Sequence, residues 1–218
     1  MKRNLLYICA ATLLLNACTN AEKPKEETTT TVSSSDTGAA KTDEWVPVDS
    51  ATATKAWMEY ATPGEAHKAL AKSDGVWTGE TTMWMGIDAP PMTSTSTSTN
   101  KMVMGGRYQL SEFKGNFMGM PFEGMSITAY DNYKKKYIST WIDNMGTGIM
   151  KMEGTWDEAS KSMAMTGKMT DPATGKECDM REVFRMVDND HQVMEMYGPD
   201  PKTGKEYKTM EIKLTRKK

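Results

Sequence analysis

The chain has 218 residues, 27 Lys and Arg against 29 Asp and Glu, and a formal net charge of −2. That balance argues against a nucleic-acid partner, because neutralising a phosphate backbone needs a basic surface. Three cysteines exclude a disulfide framework, and the length suits one domain with a sizeable core.

Met1-Lys2-Arg3-Asn4 is a short basic head, followed by the apolar run LLYICAATLLL at 5–15. That run is too short for a spanning helix, which needs about 20 residues. Leu15-Asn16-Ala17-Cys18 comes next, an aliphatic residue, then small ones, then a cysteine. The order reads as a signal over 1–17 ending in a bacterial lipobox. Small side chains fit a peptidase cleft, and the Cys18 thiol accepts a diacylglyceryl chain. Cys9 is no rival acceptor, because bulky Ile8 precedes it. The expectation is a lipid anchor on Cys18 in the cell envelope, with the membrane as first partner. Thr19 stands where Asp would signal inner-membrane retention, so the expected address is the outer membrane of a Gram-negative bacterium. Loss of Lys2 and Arg3 takes the net charge to −4.

Residues 18–44 are dominated by Thr, Ser, Glu and Lys, with no aromatic side chain. Such a segment buries too little apolar area to offset its ordering entropy and is expected to be a disordered tether. Residues 45–75 are expected to hold two short helices. Ser50 is a candidate cap for 51–60, where Ala53, Trp57 and Tyr60 recur at helical spacing. Thr62-Pro63-Gly64-Glu65 has the form of a capping box and opens a second helix ending near Ser73.

After Gly75 the period changes to two, and 76–218 is expected to be one β domain. The runs 76–85, 94–104, 107–114, 121–130, 136–143, 148–156, 161–170, 178–187, 191–197 and 205–215 are short and punctuated by turn residues. About ten such strands predict a mainly β, antiparallel sheet closed or nearly closed into a barrel. Asp171-Pro172-Ala173-Thr174-Gly175-Lys176 and Asp200-Pro201-Lys202-Thr203-Gly204-Lys205 are nearly the same loop twice. Their Thr-Gly-Lys core lacks the first glycine and the following helix of a phosphate loop, so both predict hairpin turns.

Six pairs have the form Met-x-Met, at 83/85, 102/104, 118/120, 150/152, 163/165 and 194/196. On a strand this spacing puts both side chains on one face. Leu, Ile and Val are scarce after residue 45, so methionine is the expected filler of the inner face. The competing reading is Cu(I) or Ag(I) handling by thioethers, with Met102 and Met104 as outside candidates. Neither histidine lies beside a pair, and no cofactor is predicted.

The motifs Gly105-Gly106-Arg107-Tyr108, Gly119-Met120-Pro121-Phe122-Glu123-Gly124, Tyr130-Asp131, Tyr137-Ile138-Ser139-Thr140-Trp141-Ile142-Asp143 and Gly146-Thr147-Gly148 occur in this order. Gly75-Val76-Trp77 lies upstream, and Arg181-Glu182, Met194-Glu195-Met196 and Arg216 lie downstream. The set resembles the bacterial domain-of-unknown-function family numbered 1579 over roughly 65–216. Ala129 departs from it where that family often carries Gly before the Tyr-Asp pair. The resemblance implies a calycin- or lipocalin-like barrel and brings no activity with it.

A barrel of this size either fills itself or holds one small ligand. The residues expected to line such a site are Trp77, Tyr137, Trp141, Met150, Met152 and Arg181. Arg181 and Arg185, if inward, meet a ligand carboxylate or pair with Glu123, Glu153 or Glu182; if outward, they are surface charges. His191 is an outside candidate for haem by fold analogy alone. Lone Cys178 reads as a small buried residue, and no acid–base pair or metal cluster assembles from spacing. The leading expectation is a lipid-anchored envelope protein that binds a small apolar molecule and is not an enzyme. The alternative is a non-binding structural or protein-interaction module.

Overall fold

The alternation after Gly75 folds as ten strands: β1 (Gly75–Met83), β2 (Met92–Val103), β3 (Tyr108–Phe117), β4 (Met120–Asp131), β5 (Lys136–Asp143), β6 (Met150–Asp157), β7 (Ser162–Thr170), β8 (Glu177–Met186), β9 (His191–Pro199) and β10 (Glu206–Arg216). Each pairs antiparallel with its chain neighbour, and β1 also pairs with β10, so the sheet closes into a barrel without free edges. The computed structural model describes residues 45–218. The signal, the Cys18 lipobox and the tether lie outside the described residues. Pro47–Lys218 forms one compact unit.

The turns follow the local chemistry. In both repeated loops the aspartate N–H donates to the lysine carbonyl, Asp171 to Lys176 and Asp200 to Lys205, each at 2.8 Å. Gly175 and Gly204 both take φ +68°, the left-handed region that glycine enters without a Cβ clash. A strand follows each loop, so neither is a phosphate cradle.

Two helical segments precede the barrel, α1 (Ser50–Ala61) and α2 (Glu65–Ala71). Asp49, not Ser50, caps α1, because its carboxylate accepts from the N–H groups of Ala51 and Thr52 at 3.0 Å. The expected box at Thr62 is displaced by two residues. Gly64 is the cap of α2, and its N–H donates to Nδ1 of His67 at 3.0 Å. α1 buries none of its residues. The Asn132 amide holds its end by donating to the carbonyls of Tyr60 and Thr62.

α2 plugs one end of the barrel. Leu70 packs with Tyr137, Met152, Met163, Met165 and Met180 in the larger core cluster. The link from α2 to β1 is tied down by polar contacts. Gln109 donates to the Leu70 carbonyl and to Asp74, and Asn100 and Trp77 Nε1 donate to the Ser73 carbonyl. Arg216 donates to the carbonyls of Lys72 and Asp74, with its guanidinium over the Trp77 ring. Trp77, fully buried, anchors a second cluster with Ile212 and Leu214. At the opposite end stand the turns 84–91, 118–119, 144–149, 171–176 and 200–205.

Candidate functional site

Register decides what faces the lumen. Residues opposite one another across a ladder share a face, so the pairing can be followed around the wall from buried Trp77. The inner face of β2–β5 carries a continuous polar stretch. β2 presents Ser94, Ser96, Ser98 and Asn100, β3 presents Gln109 and Ser111, and β4 and β5 add Ser126, Thr128 and Ser139. The inner face of β6–β10 is largely thioether, with Met150, Met152, Met163, Met165, Met180, Met194, Met196 and Met210. The wall is therefore amphipathic: the methionine expected to fill the inner face is concentrated on β6–β10, while β2–β5 combine this polar stretch with Phe113, Phe122, Tyr130, Tyr137 and Trp141. β2 reads Thr-Ser-Thr-Ser-Thr-Ser-Thr over 93–99, which gives no hydropathy contrast to reveal its inner face.

Of the six Met-x-Met pairs, those at 150/152, 163/165 and 194/196 lie wholly on the inner face. The other three straddle turns. Met85 and Met104 leave the ladder after Met83 and Met102, and Met118 sits in the β3–β4 turn. Met104 and Met118 have positive φ and are exposed, so Met102 and Met104 do not share one strand face. Among the described residues, no group of three or more His, Cys, Asp or Glu side chains is placed to hold a metal ion.

Toward the mouth, Phe113, Phe122 and Trp141 form an aromatic cluster, with Trp141 edge-on to Phe113 at 5.2 Å and stacked on Phe122 at 6.2 Å. Trp141 lies over Gly124, where any Cβ would overlap the indole. Its Nε1–H donates to Asp143 at 2.7 Å, and Asp143 also caps the following turn by accepting from Met145 and Gly146. A cleft of about 140 Å³ opens at this end between Met83, Met92, Ser94, Phe117 and the 118–119 turn. At the plugged end, Tyr137 meets Tyr130 edge-on, and burial pushes its phenol up. His67 is buried beside Tyr130, and burial holds its imidazole below the usual range. Ser98 Oγ, Asn100 Oδ1 and Gln192 Nε2 are buried without hydrogen-bond partners among the described residues.

The expected lining residues separate. Trp77 and Tyr137 belong to the core at the plugged end. Trp141 and Met150 are half-buried on the inner face, and Met152 is buried there. Arg181 is on the outer face, which corrects its expected place. Its guanidinium makes two bonds to Glu206, at 2.8 and 3.0 Å, and lies 3.8 Å from the Tyr197 ring centroid. It borders a shallow outer groove of about 360 Å³ with Glu153, Lys168 and Asp179. Arg185 is likewise outside, paired with Glu195. His191, at the β8–β9 turn, places Nδ1 2.9 Å from Asp188.

The residue that sequence reasoning missed is Glu182. It pairs with Met165 on one side and Met196 on the other, so its side chain faces inward. No side chain or backbone group among the described residues hydrogen-bonds its carboxyl, and burial pushes that carboxyl up to about 7. Glu182 is half-buried, as are its inner-face neighbours Phe184, Met194 and Met196. In a closed barrel such exposure is exposure to the lumen. The signal was present in the inward alternation Cys178, Met180, Glu182, Phe184, Met186, an apolar set interrupted once. Cys178 heads this set, with its Sγ–H toward the Met169 carbonyl at 3.3 Å and its thiol pushed up by burial.

Residues 62–216 match the family described as a protein of unknown function, DUF1579. Among solved structures, Rv2717c from M. tuberculosis is similar, with 14% identity, a TM-score of 0.56, and coverage of 72% of this chain and 100% of that one. The S-type phycobiliprotein lyase CPES from Guillardia theta has 9% identity and a TM-score of 0.49, covering 74% of this chain and 97% of that one. The likeness to Rv2717c shows a shared fold. No curated protein matches the chain.

Proposed function

Because the chain belongs to the DUF1579 family, which carries no known function, we propose its role from the barrel interior: it binds one small, largely apolar molecule in the lumen. The supporting observation is that inner-face side chains of β8 and β9, away from the mouth, keep exposed surface inside a closed wall. Glu182, Phe184, Met194 and Met196 are all half-buried. A self-filled barrel would bury them to native packing density. The thioether half supplies adaptable contact surface and the serine half hydrogen-bond donors and acceptors, the mix found in small-molecule sites.

In this reading the binder works at the cell envelope, tethered through residues 18–44 to a lipid on Cys18. Thr19 favours the outer membrane. Globomycin treatment and radiolabelled palmitate incorporation, with Cys18→Ala as control, test the anchor independently of the barrel. Native mass spectrometry of the purified protein tests the binding. One added small-molecule mass, removed by organic extraction, supports the proposal. The bare polypeptide mass, with no uptake from a lipid extract of the cells, overturns it.

A further inference from the structure

An apolar ligand alone leaves Glu182 unexplained. The carboxyl stands in the cross-strand row Gly154, Met165, Glu182, Met196, Met210. Met180 and Phe184 flank it on its own strand. The inner faces of β6, β7 and β9 carry no charged or titratable side chain. The titratable groups elsewhere on the inner wall are engaged. Asp143 is bonded by Trp141, Tyr207 donates to the Trp84 carbonyl, and Cys178 faces the Met169 carbonyl. Arg216 is held by carbonyls at the plugged end, where Tyr130 and Tyr137 pack on each other. Among the described residues no cation pairs with Glu182, and burial alone acts on its carboxyl.

An ionised carboxylate out of bulk water is costly without a partner, and groups kept in that state concentrate at functional sites. The rest of the chamber has a matching bias. Thioether sulfurs are polarisable, and the faces of Phe113, Phe122 and Trp141 attract positive charge. Resting on the reading of the lumen as a chamber for an apolar molecule, we propose that its ligand is a lipophilic cation, an apolar body bearing a positively charged nitrogen that pairs with Glu182.

The test uses three probes sharing a ten-carbon tail, decyltrimethylammonium and decanoate below their micelle concentrations and 1-decanol below its solubility limit. Calorimetric titration of the purified protein at pH 8 is expected to rank the cation at least about tenfold tighter than the other two, as one ion pair in a dry site allows. In Glu182→Gln the preference disappears while decanol binding persists. In the unaltered protein, cation affinity rises about thirtyfold from pH 5.5 to 8.5, following the ionised fraction of a carboxyl titrating near 7, and decanol affinity stays flat. Equal binding of the three probes, or a cation preference that survives Glu182→Gln, overturns the cation assignment and leaves the chamber standing. Failure of all three to bind overturns both.

Discussion

Replacing Glu182 by Gln removes a charge that no other group among the described residues compensates. The unfolded carboxyl titrates at the ordinary value of 4.5 and the folded one at about 7. Between these values the folded state holds more protons than the unfolded chain, so stability falls as pH rises through the window. Below about pH 4.5 the group is neutral in both states and contributes no difference. Above about pH 7 the full penalty is present, and the gap corresponds to roughly 3 kcal/mol. Glu182→Gln therefore matches the unaltered protein near pH 4.5 and exceeds it by roughly 3 kcal/mol at pH 8, or about 6–12 °C in Tm for a domain of this size. Urea and thermal unfolding of both proteins at pH 4.5, 6 and 8 measure this. Parallel pH profiles would refute the reasoning, because they would mean that Glu182 is solvated by bulk water or paired.

Met165→Ala truncates a 3% exposed thioether in the larger core cluster, and is expected to cost about 2–5 kcal/mol by urea unfolding. Asn132→Ala removes the amide that holds the α1 carbonyls, with an expected cost of about 1 kcal/mol and faster amide exchange confined to α1. Arg181→Ala breaks a partly exposed outer ion pair, so it should cost under about 1 kcal/mol and leave lumen binding unchanged in the same calorimetric titration.

The strand pattern was readable because glycine and aspartate turns separate runs of period two. All ten strands stand where the pattern places them, with no end displaced by more than three residues. The α1 cap was less readable, since Asp49 and Ser50 are both good cap formers and only geometry chooses between them. Face assignment failed where alternation carried no contrast. On β8 the outward set Arg181, Val183, Arg185 and the inward set Met180, Glu182, Phe184 each mix apolar and charged residues. Closure resolves the ambiguity, because Met165 and Met196 on either side fix which set turns inward. Half of the Met-x-Met pairs were broken by turns, a boundary effect that spacing alone does not reveal.

Binding in the lumen requires its thioether half to be a contact surface for the bound molecule. Methyl-¹³C methionine labelling with stepwise addition of 1-decanol reads that surface residue by residue. The expected result is saturable shifts of half-buried Met150, Met194 and Met196, with Met58 on exposed α1 and outward Met125 unmoved. Shifts confined to the outward methionines, or none at all, would contradict it.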